Sequence, residues 1–308
     1  MNAAPPGAVI VHADWGKNPR KRWIARARRG EKGWAIEALA PWVGGGSPLQ
    51  SLGLSDDLPG PILIGADFPI GLPVAYARAA DITSFREALP LLDEEFYAVA
   101  EKPDQISVRR PFYPYRPGGT SHAHLEAAHK ATYMDLLRRC EQPTADHGAA
   151  CCLFWTLGGK QVGKAAITGW RELVIPLLLG ADAGLWPFDG DLAVLMRSHR
   201  VTIAETYPAE HYVAFGFGKQ GSWRKSRQSD RIPRSTQLRA AAVAVASVSP
   251  GVEEAIASGF GAESDGEDRF DALVGLIGML HSLRDSAEAP TDPVVRGIEG
   301  WILGQPWD

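Results

Sequence analysis

The stretch AVIVHAD (residues 8–14) runs β-branched and apolar into a single carboxylate and is cut short by Gly16, Asn18 and Pro19. It reads as a buried strand with Asp14 at its carboxyl end. Working outward, RWIARAR (22–28) and GWAIEAL (33–39) flank a short turn containing Gly30, so the three segments form an antiparallel meander. Beyond the Gly-rich loop PWVGGGSPLQS (41–51), PILIGAD (61–67) is a continuous apolar run, the pattern of a strand covered on both faces, and it too ends on an acid, Asp67. VTIAETYP (201–208) repeats the pattern with Glu205 and is closed by Pro208.

Between residues 74 and 195 the pattern is mainly helical: SFREALPLLDEEFYAVAEK (84–102) and HLEAAHKATYMDLLRRC (124–140) carry apolar residues at spacings of three and four. This stretch reads as an insertion between the fourth and fifth strands of one domain covering 1–308. Long helices are expected over STQLRAAAVAVASV (235–248) and EDRFDALVGLIGMLHSLR (267–284), the second with Phe270, Leu273, Val274, Ile277 and Leu280 on its apolar side. The expected class is α/β, with a mixed five-stranded sheet and helices on both faces.

With 308 residues, 45% of them hydrophobic, the chain supports a large core, and disorder as the main state is excluded. Lys and Arg number 32 against 36 Asp and Glu, a formal charge of −4, which excludes a uniformly basic nucleic-acid binder. The positive charge is concentrated instead. Lys17, Arg20, Lys21, Arg22, Arg26, Arg28 and Arg29 follow one another with no acid between them. Lys219, Arg224, Lys225, Arg227, Arg231, Arg234 and Arg239 are interrupted by Asp230 alone. Trp23 and Trp223 lie inside these runs, and RRPFYPYR (109–116) mixes cations and rings in the same way, a composition suited to phosphate contact and base stacking as well as to a solvated surface. Lys17, Arg20, Lys21, Arg22, Arg109, Arg110, Trp223, Arg224, Lys225 and Arg227 are therefore the candidate nucleic-acid contacts. Cys140, Cys151 and Cys152 are odd in number and lack zinc-ligand spacing, which points to a reducing, cytoplasmic setting. The start has no positively charged leader and no apolar run is long enough to cross a bilayer, so neither secretion nor a membrane partner is expected. Nothing in the sequence fixes the oligomeric state.

A charge at the end of a buried run is costly unless something neutralises it. Asp14, Asp67 and Glu205 each occupy such a position, and Asp268 and Asp271, spaced i and i+3, share a face of the last long helix. Each strand-end acid alone also suits a turn or cap. Brought together, they would repel unless a hard cation such as Mg²⁺ or Mn²⁺ neutralised them, and paired cations of this kind drive phosphodiester hydrolysis.

HADWGKNPRKRWIA (12–25), ILIGADFPIGLP (62–73), TIAETYPAEHY (202–212) and EDRFDALVGLIGML (267–280), with LGGKQVGKAAITGWRELVIPLL (157–178) between them, resemble the blocks of domain-of-unknown-function family 429, a predicted nuclease group with a ribonuclease-H-like fold. The resemblance implies an acidic metal site at Asp14, Asp67, Glu205 and Asp271, with Asp268 as a substitute or supporting ligand, and a nucleic-acid substrate. Two rival readings exist. An actin-like or sugar-kinase-type ATP-binding enzyme is compatible with the Asp-Trp-Gly turn at 14–16, although no Ser or Thr follows Gly16. A non-catalytic nucleic-acid-binding protein would keep the acids as caps. GGKQVGKA (158–165) nearly matches a phosphate-binding loop, with CCLFWTL (151–157) as its required strand, but Ala165 replaces the hydroxyl residue that holds Mg²⁺.

Overall fold

The computed structural model describes residues 4–143, 148–158, 161–219, 221–285 and 289–307. Seven strands form one mixed sheet: β1 (Val9–Asp14), β2 (Trp23–Gly30), β3 (Gly33–Pro41), β4 (Ile62–Ala66), β5 (Ala183–Leu185), β6 (Val201–Glu205) and β7 (Ala246–Val248), in the order β5-β6-β4-β1-β2-β3-β7. β1–β2 and β2–β3 pair antiparallel, and every other pairing is parallel. The class is therefore α/β as expected, but the strand count is seven. The two additions are short edge strands. β7 lies within the expected helix 235–248, which stops at Val243, and β5 lies within the stretch read as a helical insertion.

The rest of that stretch consists of short helices and turns. The apolar spacing of 84–102 yields two single-turn helices, Phe85–Ala88 and Glu94–Tyr97, because Pro90 and the capping Asp93 break it. The longer helices are α1 (His122–His129), α2 (Val162–Gly169), α3 (Ser235–Val243), α4 (Pro250–Ala257) and α5 (Gly266–Arg284). Residues 151–157 form turns rather than a strand, and Gly163 is needed for packing, since a Cβ there would lie 2.5 Å from the Leu153 carbonyl oxygen. The phosphate-loop pattern thus lacks its strand; Gly159 and Lys160 fall outside the described residues.

Side chains of the central strands alternate between two apolar clusters. Val9, Val11, Ala13, Ile62, Ile64, Val201 and Ile203 face the 68–177 region, whereas Ile10, Leu63 and Ala204 face α5. Helix α5 lies directly against β1 and β4 through small residues. A Cβ on Gly275 would come 2.1 Å from His12 Nε2, and one on Gly65 of β4 would come 2.4 Å from Met279 Sδ. This close seating fixes the depth at which α5 presents its first turns to the carboxyl edge of the sheet. No helix among the described residues is long and apolar enough to cross a membrane.

Candidate active site

Parallel pairing of β1 with β4 aligns Ala13 with Ala66, so Asp14 and Asp67 emerge side by side, and the Asp67 amide donates to the Ala13 carbonyl at 3.0 Å. Alternation directs both acids to the face covered by α5: Asp14 follows Ile10 and His12, and Asp67 follows Leu63 and Gly65. Asp271, one turn into α5, faces them and is buried. Asp268 lies on the same side of the helix and is half-buried, with its Oδ2 buried and bonded to no other described residue.

The electrostatics follow from this crowding. Burial, then Asp271 and Asp67, push the Asp14 carboxyl well above the usual carboxylate range. Burial and Asp271, with a smaller push from Glu205, raise Asp67 to about 7 against the pull of Lys225. Asp268 is pushed up to about 7 by burial, with Lys21 drawing it the other way. Neighbouring buried carboxyls raise one another's pKa, and a cation placed among them would relieve that cost. Asp271 accepts from the Tyr212 hydroxyl at 2.7 Å and pairs with the Lys225 ammonium. Burial opposes the charge on Lys225, but Asp271, Tyr212 and Asp14 outweigh it and hold the ammonium protonated beyond the ordinary lysine range.

Glu205 belongs to a different arrangement. In the β4–β6 register it stands opposite Ala66, one residue short of Asp67, and alternation sends it with Val201 and Ile203 to the face away from α5. There Arg138 grips it with two bonds, Nη1 to Oε2 at 2.7 Å and Nη2 to Oε1 at 2.6 Å, and the Ile70 amide donates to Oε2 at 2.6 Å. The same guanidinium binds Glu141 and the carbonyls of Ile70 and Glu299. The Glu205 lone pairs that a metal would need are thus committed to protein donors.

The loop DFPIGLP is held by this second arrangement. Gly71 has φ +144°, and a Cβ there would lie 1.9 Å from the Glu299 carbonyl oxygen, so only glycine permits the close approach. Trp170 Nε1 donates to the Pro69 carbonyl at 2.7 Å and completes the clamp on the residues that follow Asp67.

The cationic candidates separate in the same way. Lys17, Arg20 and Lys21 are exposed just beyond Asp14, and Arg224 and Arg227 are exposed on the segment before α3. Arg109 is exposed but paired with Asp93 and Glu95. Arg22 is fully buried, with its guanidinium 3.8 Å from the ring of Trp15 and 4.6 Å from that of Trp42, and it pairs with Glu172, which removes it from any surface role. Arg110 is committed to the carbonyls of Ala98 and Val99, and Trp223 packs on Tyr212, Phe217 and Phe270 under Arg234. Lys225, grouped by sequence with the phosphate contacts, is instead lodged among the carboxylates. Sequence reasoning missed Tyr212, the last residue of the ETYPAEHY string, and Arg138, which lies in a stretch whose apolar spacing predicts a helix through Cys140 although the helix ends at His129.

Among the described residues, no three Asp, Glu, His or Cys side chains are already arranged at metal-ligand spacing. The donor set around Asp14, Asp67 and Asp271 is nonetheless all oxygen and carries an excess of negative charge, the chemistry a hard divalent cation prefers. A scan against family models finds no match for this chain, and searches of curated proteins and of solved structures find none.

Proposed function

We propose that this chain is a metal-dependent hydrolase of phosphodiester bonds in nucleic acid, built on a ribonuclease-H-like core. The core reading rests on the strand order β3-β2-β1-β4-β6, in which β2 alone runs against the others. The functional reading rests on one observation: Asp14 and Asp67 emerge side by side at the ends of adjacent parallel strands, on the face where Asp271 couples electrostatically to both. Acids that served only as turn caps would have no reason to converge at such electrostatic cost.

Asp14, Asp67 and Asp271 would hold Mg²⁺ or Mn²⁺, which when bound supplies charge neutralisation and Lewis-acid polarisation at phosphorus. The protein's own part is positional. Arg138 fixes the loop after Asp67 through Ile70, α5 sets the depth of Asp271, and Tyr212 orients the Asp271 carboxylate by donating to Oδ1. Asp268, on the same side of α5 and with its buried Oδ2 bonded to no other described residue, would serve as a substitute or supporting ligand. Lys17, Arg20 and Lys21 on one side and Arg224 and Arg227 on the other would hold the phosphate backbone.

Calorimetric titration of Mn²⁺ into the wild type and into folded Asp14→Asn and Asp67→Asn tests the site. The expected result is loss of roughly tenfold or more in affinity for each variant, with parallel loss of cleavage on single-stranded, duplex and hybrid substrates. Unchanged affinity in both variants would overturn the assignment.

A further inference from the structure

We propose that Lys225 is the resident cation of the acidic site, a plug that a divalent cation must expel from Asp271, so that the site is occluded until metal arrives. This rests on reading the cluster as a divalent-cation site.

The Lys225 ammonium pairs with Asp271 Oδ2, and the Lys225 charge also acts on Asp14, Asp67 and Asp268. A single positive charge does not balance three or four converging carboxylates, whereas a divalent ion brings twice the charge to the same oxygens. Both cations need Asp271, so occupancy by one excludes the other.

The surroundings suit release of the side chain alone. The backbone at this point is anchored: Arg231 Nη1 donates to the Lys225 carbonyl, and the Arg224 amide donates to Asp230 at 2.8 Å. Trp223 is packed against Phe270 with ring centroids 5.6 Å apart. The ammonium sits among the carboxylates, but the Lys225 side chain as a whole is 45% exposed, so its stem lies open to solvent and offers the ammonium a way out without moving the segment. Once released, its ammonium would join the exposed Arg224 and Arg227 of the same segment, the residues proposed to hold substrate phosphate.

The test compares Mn²⁺ binding, by calorimetry, in the full wild-type chain, Lys225→Met and Lys225→Arg. The methionine variant is expected to bind Mn²⁺ about tenfold more tightly, a typical size for coupling between two ligands, and the arginine variant no more tightly than wild type. In parallel, wild-type protein is treated with an amine-acylating reagent and Lys225 is followed by mass spectrometry; Mn²⁺ is expected to raise its labelling severalfold. Equal or weaker Mn²⁺ affinity in folded Lys225→Met, with the wild type still binding, overturns the plug and leaves the metal reading standing. Absence of Mn²⁺ binding in both overturns the two together. If Lys225→Met does not fold, the labelling decides, and labelling that Mn²⁺ does not raise overturns the plug.

Discussion

Glu205 and Asp67 lie one register step apart on neighbouring strands, yet their carboxylates are treated in opposite ways. Glu205 and Glu141 surround Arg138, which is 0% exposed and bonds both of them along with two carbonyls. Among the described residues, Asp271 has one ion-pair partner, the tip of Lys225, beside a hydrogen bond from Tyr212, and Asp14, Asp67 and Asp271 repel one another. A buried ionic network with its donors matched to its acceptors is a structural device. A cluster left short of positive charge pays a standing cost, and such costs concentrate where a site must receive something. The comparison separates a staple from a socket within a few ångströms of sheet edge.

The staple is the part most easily broken. Arg138→Met would leave Glu205 and Glu141 buried without their counter-charge, and removing one partner of a buried pair costs about 3–5 kcal/mol. Urea unfolding at neutral pH is expected to show that loss. Adding Glu205→Gln should recover part of it, because the neutral amide no longer needs the guanidinium, and the double-mutant cycle isolates the pair. A loss below about 1 kcal/mol for Arg138→Met would mean that the network is not the structural member described here.

Much of the framework was legible because it depends on local pattern. β1, β4, β6 and α5 follow from apolar runs and helical spacing, and the run ends correctly mark Asp14 and Asp67. The same runs concealed the parity of Glu205. A strand buried on both faces shows no polar alternation, so nothing in VTIAE tells which cluster Glu205 faces, and one residue of register reverses the answer. Arg138 lies in an apolar-spaced stretch whose helix ends at His129 with Lys130 at φ +51°, so its long-range partners had no periodic signature. Arg22 and Lys225 looked like surface charges because composition records charge and not depth. The edge strands β5 and β7 are three residues each, too short for any periodicity to register.

The two acid groups also share the sheet edge with a buried base, and pH distinguishes their contributions. His12 follows Ile10 on the α5 face of β1 and is 0% exposed; burial, with His211 nearby, pushes it down to about 3. The unfolded chain therefore takes up the proton first as pH falls below 6.5, and stability is lost from there down toward the folded value. By about pH 5 this linkage amounts to about 2 kcal/mol. A folded His12→Met variant is expected to show a flatter loss between pH 6.5 and 5 in denaturant titrations. An equally steep loss would assign the acid sensitivity to another group.

The socket runs in the opposite sense and gives the smallest effect. The Asp67 carboxyl is raised from 3.8 to about 7, so the folded state holds its proton more tightly than the unfolded chain does, and stability falls as pH rises between those values. Above them the metal-free protein bears the full repulsion. Asp67→Asn replaces a charge with an amide that can donate to Asp14, and it is expected to stabilise the chelator-treated protein at about pH 8 by about 1 kcal/mol, a figure held down because Asp67 is partly open to solvent. On the proposed metal reading Mg²⁺ or Mn²⁺ stabilises the wild type, and the same substitution should abolish most of that gain, since binding to the folded state alone adds stability as affinity and ligand concentration rise. The pair of results is diagnostic because they have opposite signs: a residue present only for structure loses stability when altered, whereas a residue held ready for a cation gains stability without the cation and loses the benefit with it. If Asp67→Asn proves less stable than wild type in the absence of metal, the carboxylates at this edge are already balanced, and the contrast with Glu205 disappears.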